Sequence, residues 1–284
     1  MASTYKAIFI GNESPYLDVL NKLTQLALVV CKPLRGYGRK YFGSALRFAR
    51  ENQIPVSAPE VYMSNEVAAD VIVVSGYPKR IPKGIIHSAR IAAINIHQSL
   101  LPAYRGRHPL NWAIINGETL TGVTLHYLNE RFDDGKIIKQ ESVKIEKNDT
   151  IMDVYQKTAN KGQKLLRNFC QEIGSKKILG RKQNLASATY FPPRTPKDGK
   201  INWQEPAEKI YNLVRALTFP YPGAYFYYKK KKLIIEECKP LKTGPIELKR
   251  GKPIFKNKCC IVKTGMGFLR ILRVRNHKLS EIFK

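Results

Sequence analysis

Short aliphatic runs recur through the first half of the chain: Lys6 to Gly11, Ala27 to Cys31, Pro55 to Val56, Asp70 to Ser75 and Ile91 to His97. They are too short for helices and too continuous for half-exposed strands, which marks strands buried on both faces. Between them the apolar spacing changes to three and four. Ser14-Pro15 predicts an N-cap and first turn of a helix running to about Gln25, and Phe42 to Asn52 spaces its apolar residues as one helical face. The alternation predicts an α/β fold, a Rossmann-like and mostly parallel sheet covered by helices. Leu34 to Tyr41 reads as a basic, glycine-bearing loop.

Further along, Pro109 to Asn116 predicts a short helix closed by Gly117. Gly122 to Leu128 and Ile137 to Val143 are two more strands, separated by the turn Asp133-Asp134-Gly135. Asp149-Thr150 caps a long amphipathic helix that ends at Gly174. Prolines 192, 193 and 196 with Gly199 then punctuate a polar stretch, so the expected organisation is a first domain over 1–178, a linker over 179–203 and a small β-rich, OB-like domain over 204–284. That last part holds a helix at Pro206 to Leu217 and short strands at Tyr225 to Tyr228, Leu233 to Cys238, Cys259 to Val262 and Phe268 to Val274.

Composition narrows the classes. Five cysteines (31, 170, 238, 259, 260) lack Cys-x-x-Cys spacing, so neither a zinc site nor a disulfide framework is expected, and no metal is called for. The first turn, Gly11-Asn12-Glu13-Ser14, lacks the Gly-x-Gly-x-x-Gly pattern that dinucleotides require. With no leader pattern and no run near the roughly 18 apolar residues of a spanning helix, the expectation is a cytoplasmic protein that does not engage membranes. A net charge of +27 draws any anionic substrate, nucleic acid included. Its densest cluster, Lys229-Lys230-Lys231-Lys232, reads as a solvated hairpin turn, and a nucleic-acid partner is not expected.

The candidate chemistry lies where the fifth run ends. In Asn95-Ile96-His97, side-chain alternation projects positions 95 and 97 to one side, at the carboxyl edge where open α/β sheets place ligands. A histidine exchanges protons near neutral pH, a carboxylate holds its tautomer, and an amide donates to an oxyanion. Asp133 or Asp134 could supply the carboxylate. These groups suit acyl transfer to an amine without a covalent enzyme intermediate. No Gly-x-Ser-x-Gly elbow supports a serine hydrolase. His87, His108, His126 and His277 show no partner pattern and read as structural.

Asn95-x-His97, the run Ser99-Leu-Leu-Pro-Ala-Tyr-Arg-Gly106 and the Asp133-Asp-Gly135 turn together resemble the folate-dependent formyltransferase family. Within it the chain is most similar to sugar-nucleotide N-formyltransferases and to the formyltransferase domain of the enzyme that modifies UDP-4-amino-4-deoxy-L-arabinose. The runs at 41–50, 105–112, 116–126 and 215–225 carry this likeness. The resemblance implies His97 as general acid/base, Asn95 as the transition-state stabiliser and Asp133 as the carboxylate that raises the histidine's pKa. It also implies 10-formyltetrahydrofolate as co-substrate, contacted by Lys79, Arg80, Ile81, Arg107, Asn129, Glu130, Arg131, Phe132 and Asp133. The acceptor implied is the amine of a nucleotide-linked amino sugar, a 4-amino sugar on UDP or dTDP, for surface-glycan (O-antigen, lipopolysaccharide) synthesis, and a homodimer fits this reading.

Two rivals remain. Methionyl-tRNA formyltransferase shares the plan and suits the basic charge, but that branch typically has Arg-Gly-Ala-Ala-Pro and Asp-Thr-Gly where this chain has Arg105-Gly-Arg-His-Pro109 and Asp133-Asp-Gly135. A non-catalytic basic RNA-binding protein on the same fold is the other, and the intact Asn95, His97 and Asp133 set speaks against it.

Overall fold

The computed structural model describes residues 5–32, 43–64, 67–174, 178–245, 247–256 and 259–282. The basic loop expected at 34–41 lies outside the described residues, as does the predicted helix start at Phe42. The chain divides into two compact units, one made of residues 1–109, 120–144 and 155–192, the other of 110–119, 145–154 and 193–284.

Up to residue 172 the strands are β1 (Lys6–Ile10), β2 (Gln25–Val30), β3 (Val56–Ser57), β4 (Ala69–Val74), β5 (Ala89–His97), β6 (Arg105–Gly106), β7 (Leu120–Tyr127) and β8 (Ile137–Lys144). The helices there are α1 (Leu17–Leu23), α2 (Ala45–Glu51), α3 (Pro59–Ser64), α4 (Lys83–His87), α5 (Pro109–Ile115) and α6 (Ile151–Glu172). Seven strands form one sheet in the order β3-β2-β1-β4-β5-β7-β8. The first five are parallel, while β7 runs antiparallel to both β5 and β8.

Strand parity builds two cores. Phe9, Val71, Val73, Ile94 and Ile96 point to the side covered by α1, α2 and α6, where Leu20, Ala45, Leu166 and Phe169 meet them. Ile8, Ile10, Ile72, Val74 and Ala93 point to the other, against Tyr62 and Ile85 of α3 and α4. Every residue of β4 is buried, as a central parallel strand demands. Asn95 and His97 share parity with Ala93, so they leave the strand on the face opposite Ile94 and Ile96.

Three helical expectations shift. Ser14-Pro15 makes a turn rather than the cap, and α1 starts at Leu17, whose N–H donates to the Ser14 carbonyl. That helix stops at Leu23 because Gln25 is already paired with Lys6 in the sheet. The short helices α3 and α4, six and five residues long, are beyond the reach of periodicity. By contrast α6 starts where Thr150 and Asp153 exchange hydrogen bonds in a reciprocal cap.

After β9 (Tyr190–Phe191) the second unit contains α7 (Ala207–Ala216), β10 (Ala224–Tyr228), β11 (Lys231–Leu241), β12 (Pro253–Lys256), β13 (Cys259–Lys263), β14 (Phe268–Val274) and α8 (Leu279–Ile282). Its antiparallel sheet runs β10-β11-β14-β13-β12, packed against Ile210 and Val214 of α7. Only Lys229 and Lys230 form the lysine turn, with φ of 45° and 64°; Lys231 and Lys232 belong to β11, opposite Tyr228 and Tyr227. Cys259 and Cys260 face opposite ways, half-buried and buried, and all five cysteines are free thiols.

Arg215 organises this unit. Its buried guanidinium donates to the Asp149 carbonyl at 2.9 Å, the Glu146 carbonyl at 3.4 Å and the Asn212 side chain at 2.9 Å, and packs over Tyr211. R215M keeps the bulk and removes the donors, so a stability loss of about 1–3 kcal/mol in urea denaturation is expected.

A second expectation concerns His126 of β7, which is 1% exposed. Burial, partly opposed by Asp133, pushes its pKa down to about 4. The unfolded chain binds that proton near 6.5, so unfolding is favoured progressively as pH falls from 6.5 toward 4, and nothing is contributed above 6.5. H126Q should therefore lessen the stability loss between pH 7 and pH 5 by on the order of 2 kcal/mol. Parallel pH dependences for the two proteins in urea melts would refute a buried neutral ring.

Candidate active site

Three segments of the first unit converge at the carboxyl end of β5: the strand itself, the loop that follows it through β6, and the turn between β7 and β8. The loop is tied within itself and to β7 and β9. Ser99 donates to the Ala103 carbonyl at 2.7 Å, Thr124 donates to the Ser99 carbonyl at 2.6 Å and accepts from the Leu101 N–H, and Tyr104 stacks on Phe191 at 4.6 Å. Gly106 has φ of +98°, and a Cβ there would lie 2.4 Å from the Phe191 carbonyl oxygen, so only glycine lets β6 pair with β9.

Asp133 occupies the turn with φ of +52°. Its Oδ2 accepts from the Gly106 N–H at 2.9 Å, and its Oδ1 accepts from Asn95 Nδ2 at 3.2 Å and faces His97 Nδ1 at 3.4 Å. His97 Nε2 donates to the Tyr104 carbonyl at 2.8 Å. Both ring nitrogens of His97 thus face acceptors, and the side chains of His97 and Asp133 are 8% and 9% exposed. The structure brings Asn95, His97 and Asp133 into one cluster.

It also separates the two aspartates. Asp134 turns away and pairs with Arg105 at 2.8 Å, a guanidinium with no exposed surface. Arg105 further donates to Gln183 Oε1 and Tyr190 Oη, while Gln183 Nε2 donates to the Asp133 and Gly135 carbonyls, both at 2.8 Å. Arg105, Gln183 and Asp134 therefore brace the turn, a role the sequence reading did not give them. The Arg-Gly pair at 105–106 was in view, but Gln183 lies about 50 residues beyond the turn in a stretch expected to be linker.

The most direct departure is His126, expected to be structural without a partner. Its Nε2 lies 3.1 Å from Asn95 Nδ2 and 3.8 Å from Asp133 Oδ1. The cause is topological. Because β7 is antiparallel to β5, His126 stands directly opposite Asn95 and on the same face.

Beside this cluster, Tyr77, Lys79, Arg80, Ile81, Leu128 and residues 129–133 line a pocket that has Asn95 in its wall. Arg80 lies over the Phe132 ring at 5.3 Å on its border. Lys83 and Glu130 pair at 3.1 Å. All of the residues implied for the co-substrate meet here except Arg107, which is exposed and does not line the pocket; its backbone N–H donates to the Phe191 carbonyl. No helix among the described residues is long and apolar enough to cross a membrane.

Comparison with known proteins gives the family and the fold. A family model described as formyl transferase matches residues 43–169, and one described as formyl transferase, C-terminal domain, matches residues 194–281. An N-formyltransferase from Helicobacter canadensis, crystallised with folinic acid and dTDP-3-aminofucose, superposes with a TM-score of 0.73 at 22% identity, over 96% of this chain and 100% of that one. A 4-N formyltransferase from Francisella tularensis gives 0.64 at 23% identity over 80% and 95%. HypX from Aquifex aeolicus in complex with tetrahydrofolic acid gives 0.66 at 17% identity over 97% of this chain and 45% of HypX. At these identities the likeness is one of fold. The two family models together match well over half of the sequence, and the chain belongs to the formyltransferase family.

Proposed function

We propose that this chain transfers the formyl group of 10-formyltetrahydrofolate to the amine of a nucleotide-linked amino sugar, a 4-amino sugar on UDP or dTDP, in the cytoplasm for surface-glycan synthesis. The observation that carries the reading is the convergence of Asn95, His97 and Asp133 beside a pocket lined by Lys79, Arg80, Ile81 and residues 129–133. Full-length similarity to proteins described as sugar N-formyltransferases supports the acceptor class, and the dTDP-3-aminofucose bound to one of them supports a deoxythymidine nucleotide.

When bound, the folate supplies an activated formyl carbon on nitrogen. The chain's own groups do the rest. Asn95 presents its carboxamide to the formyl oxygen, where negative charge develops as the carbon becomes tetrahedral. His97, held between the Tyr104 carbonyl and Asp133, takes the proton lost by the attacking amine and returns one to the departing nitrogen. Asp133 keeps the imidazole in place. Arg80, Ile81 and the 129–133 backbone hold the donor, and this proximity is worth several kcal/mol of the barrier.

A tRNA-directed reaction is the second reading, favoured by the charge of +27 and by the exposed lysine turn beside Tyr227 and Tyr228 of the second unit. One experiment separates them. The protein is incubated with 10-formyltetrahydrofolate and UDP-, dTDP- or GDP-linked amino sugars, with initiator methionyl-tRNA alongside, and tetrahydrofolate release is followed. Turnover with an amino-sugar nucleotide is expected, and turnover with the tRNA alone overturns the proposal. With the sugar identified, N95A should lower kcat by on the order of 100-fold, and wild-type turnover would remove Asn95 from its role.

A further inference from the structure

We infer that His126 is a positioning residue that fixes which end of the Asn95 carboxamide is presented at the reacting centre. The kinetic consequence rests on the formyl-transfer reading, and the structural one on geometry alone.

The chain of hydrogen bonds begins at a carbonyl. The Tyr127 carbonyl oxygen can only accept, and His126 Nδ1 lies 2.9 Å from it, so the ring carries its proton on Nδ1. Burial, which holds the ring's pKa down at about 4, keeps it neutral near pH 7. His126 Nε2 is then a bare lone pair, and it accepts from Asn95 Nδ2 at 3.1 Å. The other Asn95 N–H donates to Asp133 Oδ1 at 3.2 Å. An amide turned by 180° would set its oxygen against two acceptors, so His126 and Asp133 together forbid the flip. Neither acceptor suffices alone. Asp133 Oδ1 also faces His97 Nδ1 at 3.4 Å, whereas His126 Nε2 accepts from Asn95 and holds the nitrogen end in place.

The charged and titratable groups facing His126 fit this assignment. Asp133 Oδ1, at 3.8 Å, is too far for a direct hydrogen bond to Nε2, and the Asn95 nitrogen lies between the two acceptors. His97 and Arg105, the other neighbours, oppose a charge on the ring.

Two substitutions separate the role from mere packing. Gln places an acceptor close to the imidazole Nε2 position, whereas Asn reaches only to Nδ1. H126N should lower kcat by about tenfold to a hundredfold, the scale of a misplaced catalytic group, with KM for 10-formyltetrahydrofolate unchanged. H126Q should recover most of that loss. Equal kcat in H126N, H126Q and wild type, or a loss carried by KM alone, overturns the inference. A third readout needs neither substrate nor substitution. In ¹⁵N-labelled protein near pH 7 the His126 ring should show the Nδ1–H tautomer, and an Nε2–H ring refutes the assignment even if no amino sugar is formylated or H126N does not fold.

Discussion

The site depends on one carboxylate held in an unfavourable backbone conformation. Asp133, with φ of +52°, occupies the left-handed region at a cost of about 1–2 kcal/mol for a residue with a Cβ. Two features enforce it. Gly135 lies so close to the Tyr127 carbonyl that a Cβ would be 1.7 Å from the oxygen, and Gln183 bonds the carbonyls of Asp133 and Gly135. In return the carboxylate gains the Gly106 and Asn95 donors, and hydrogen bonds to charged groups contribute about 1.5–3 kcal/mol each. The bonds outweigh the strain, so the turn that looks least favourable locally is fixed by what it reaches.

Sheet parity does the other half. One register decides that Ile94 and Ile96 fill the core while Asn95 and His97 leave on the opposite face, and a shift by one residue would exchange these roles. The reversal of direction at β7 then adds a residue that a parallel neighbour would not supply in that place. With β7 antiparallel, His126 pairs across from Asn95.

Legibility from sequence followed the same division. The strands β1, β2, β4 and β5 were readable because burial on both faces leaves continuous aliphatic runs, and α6 because it carries a cap, a long apolar face and a terminal glycine. Asn95 and His97 were readable because alternation is local. Which aspartate enters the cluster was not, since Asp133 and Asp134 differ only in what Gly106, Arg105 and Gln183 do around them; a family likeness, rather than spacing, had singled out Asp133. His126 was missed for a related reason: its partner lies 31 residues away, and strand direction is absent from any run of apolar residues.

The Arg105 pair carries a further consequence for charge. Around Asn95 and His97 the interior holds two carboxylates, Asp133 and Asp134, the Arg105 guanidinium, and a neutral His126. The balance is one negative charge in excess, enclosed where water screens poorly. Such an interior accommodates one added cation and resists a second.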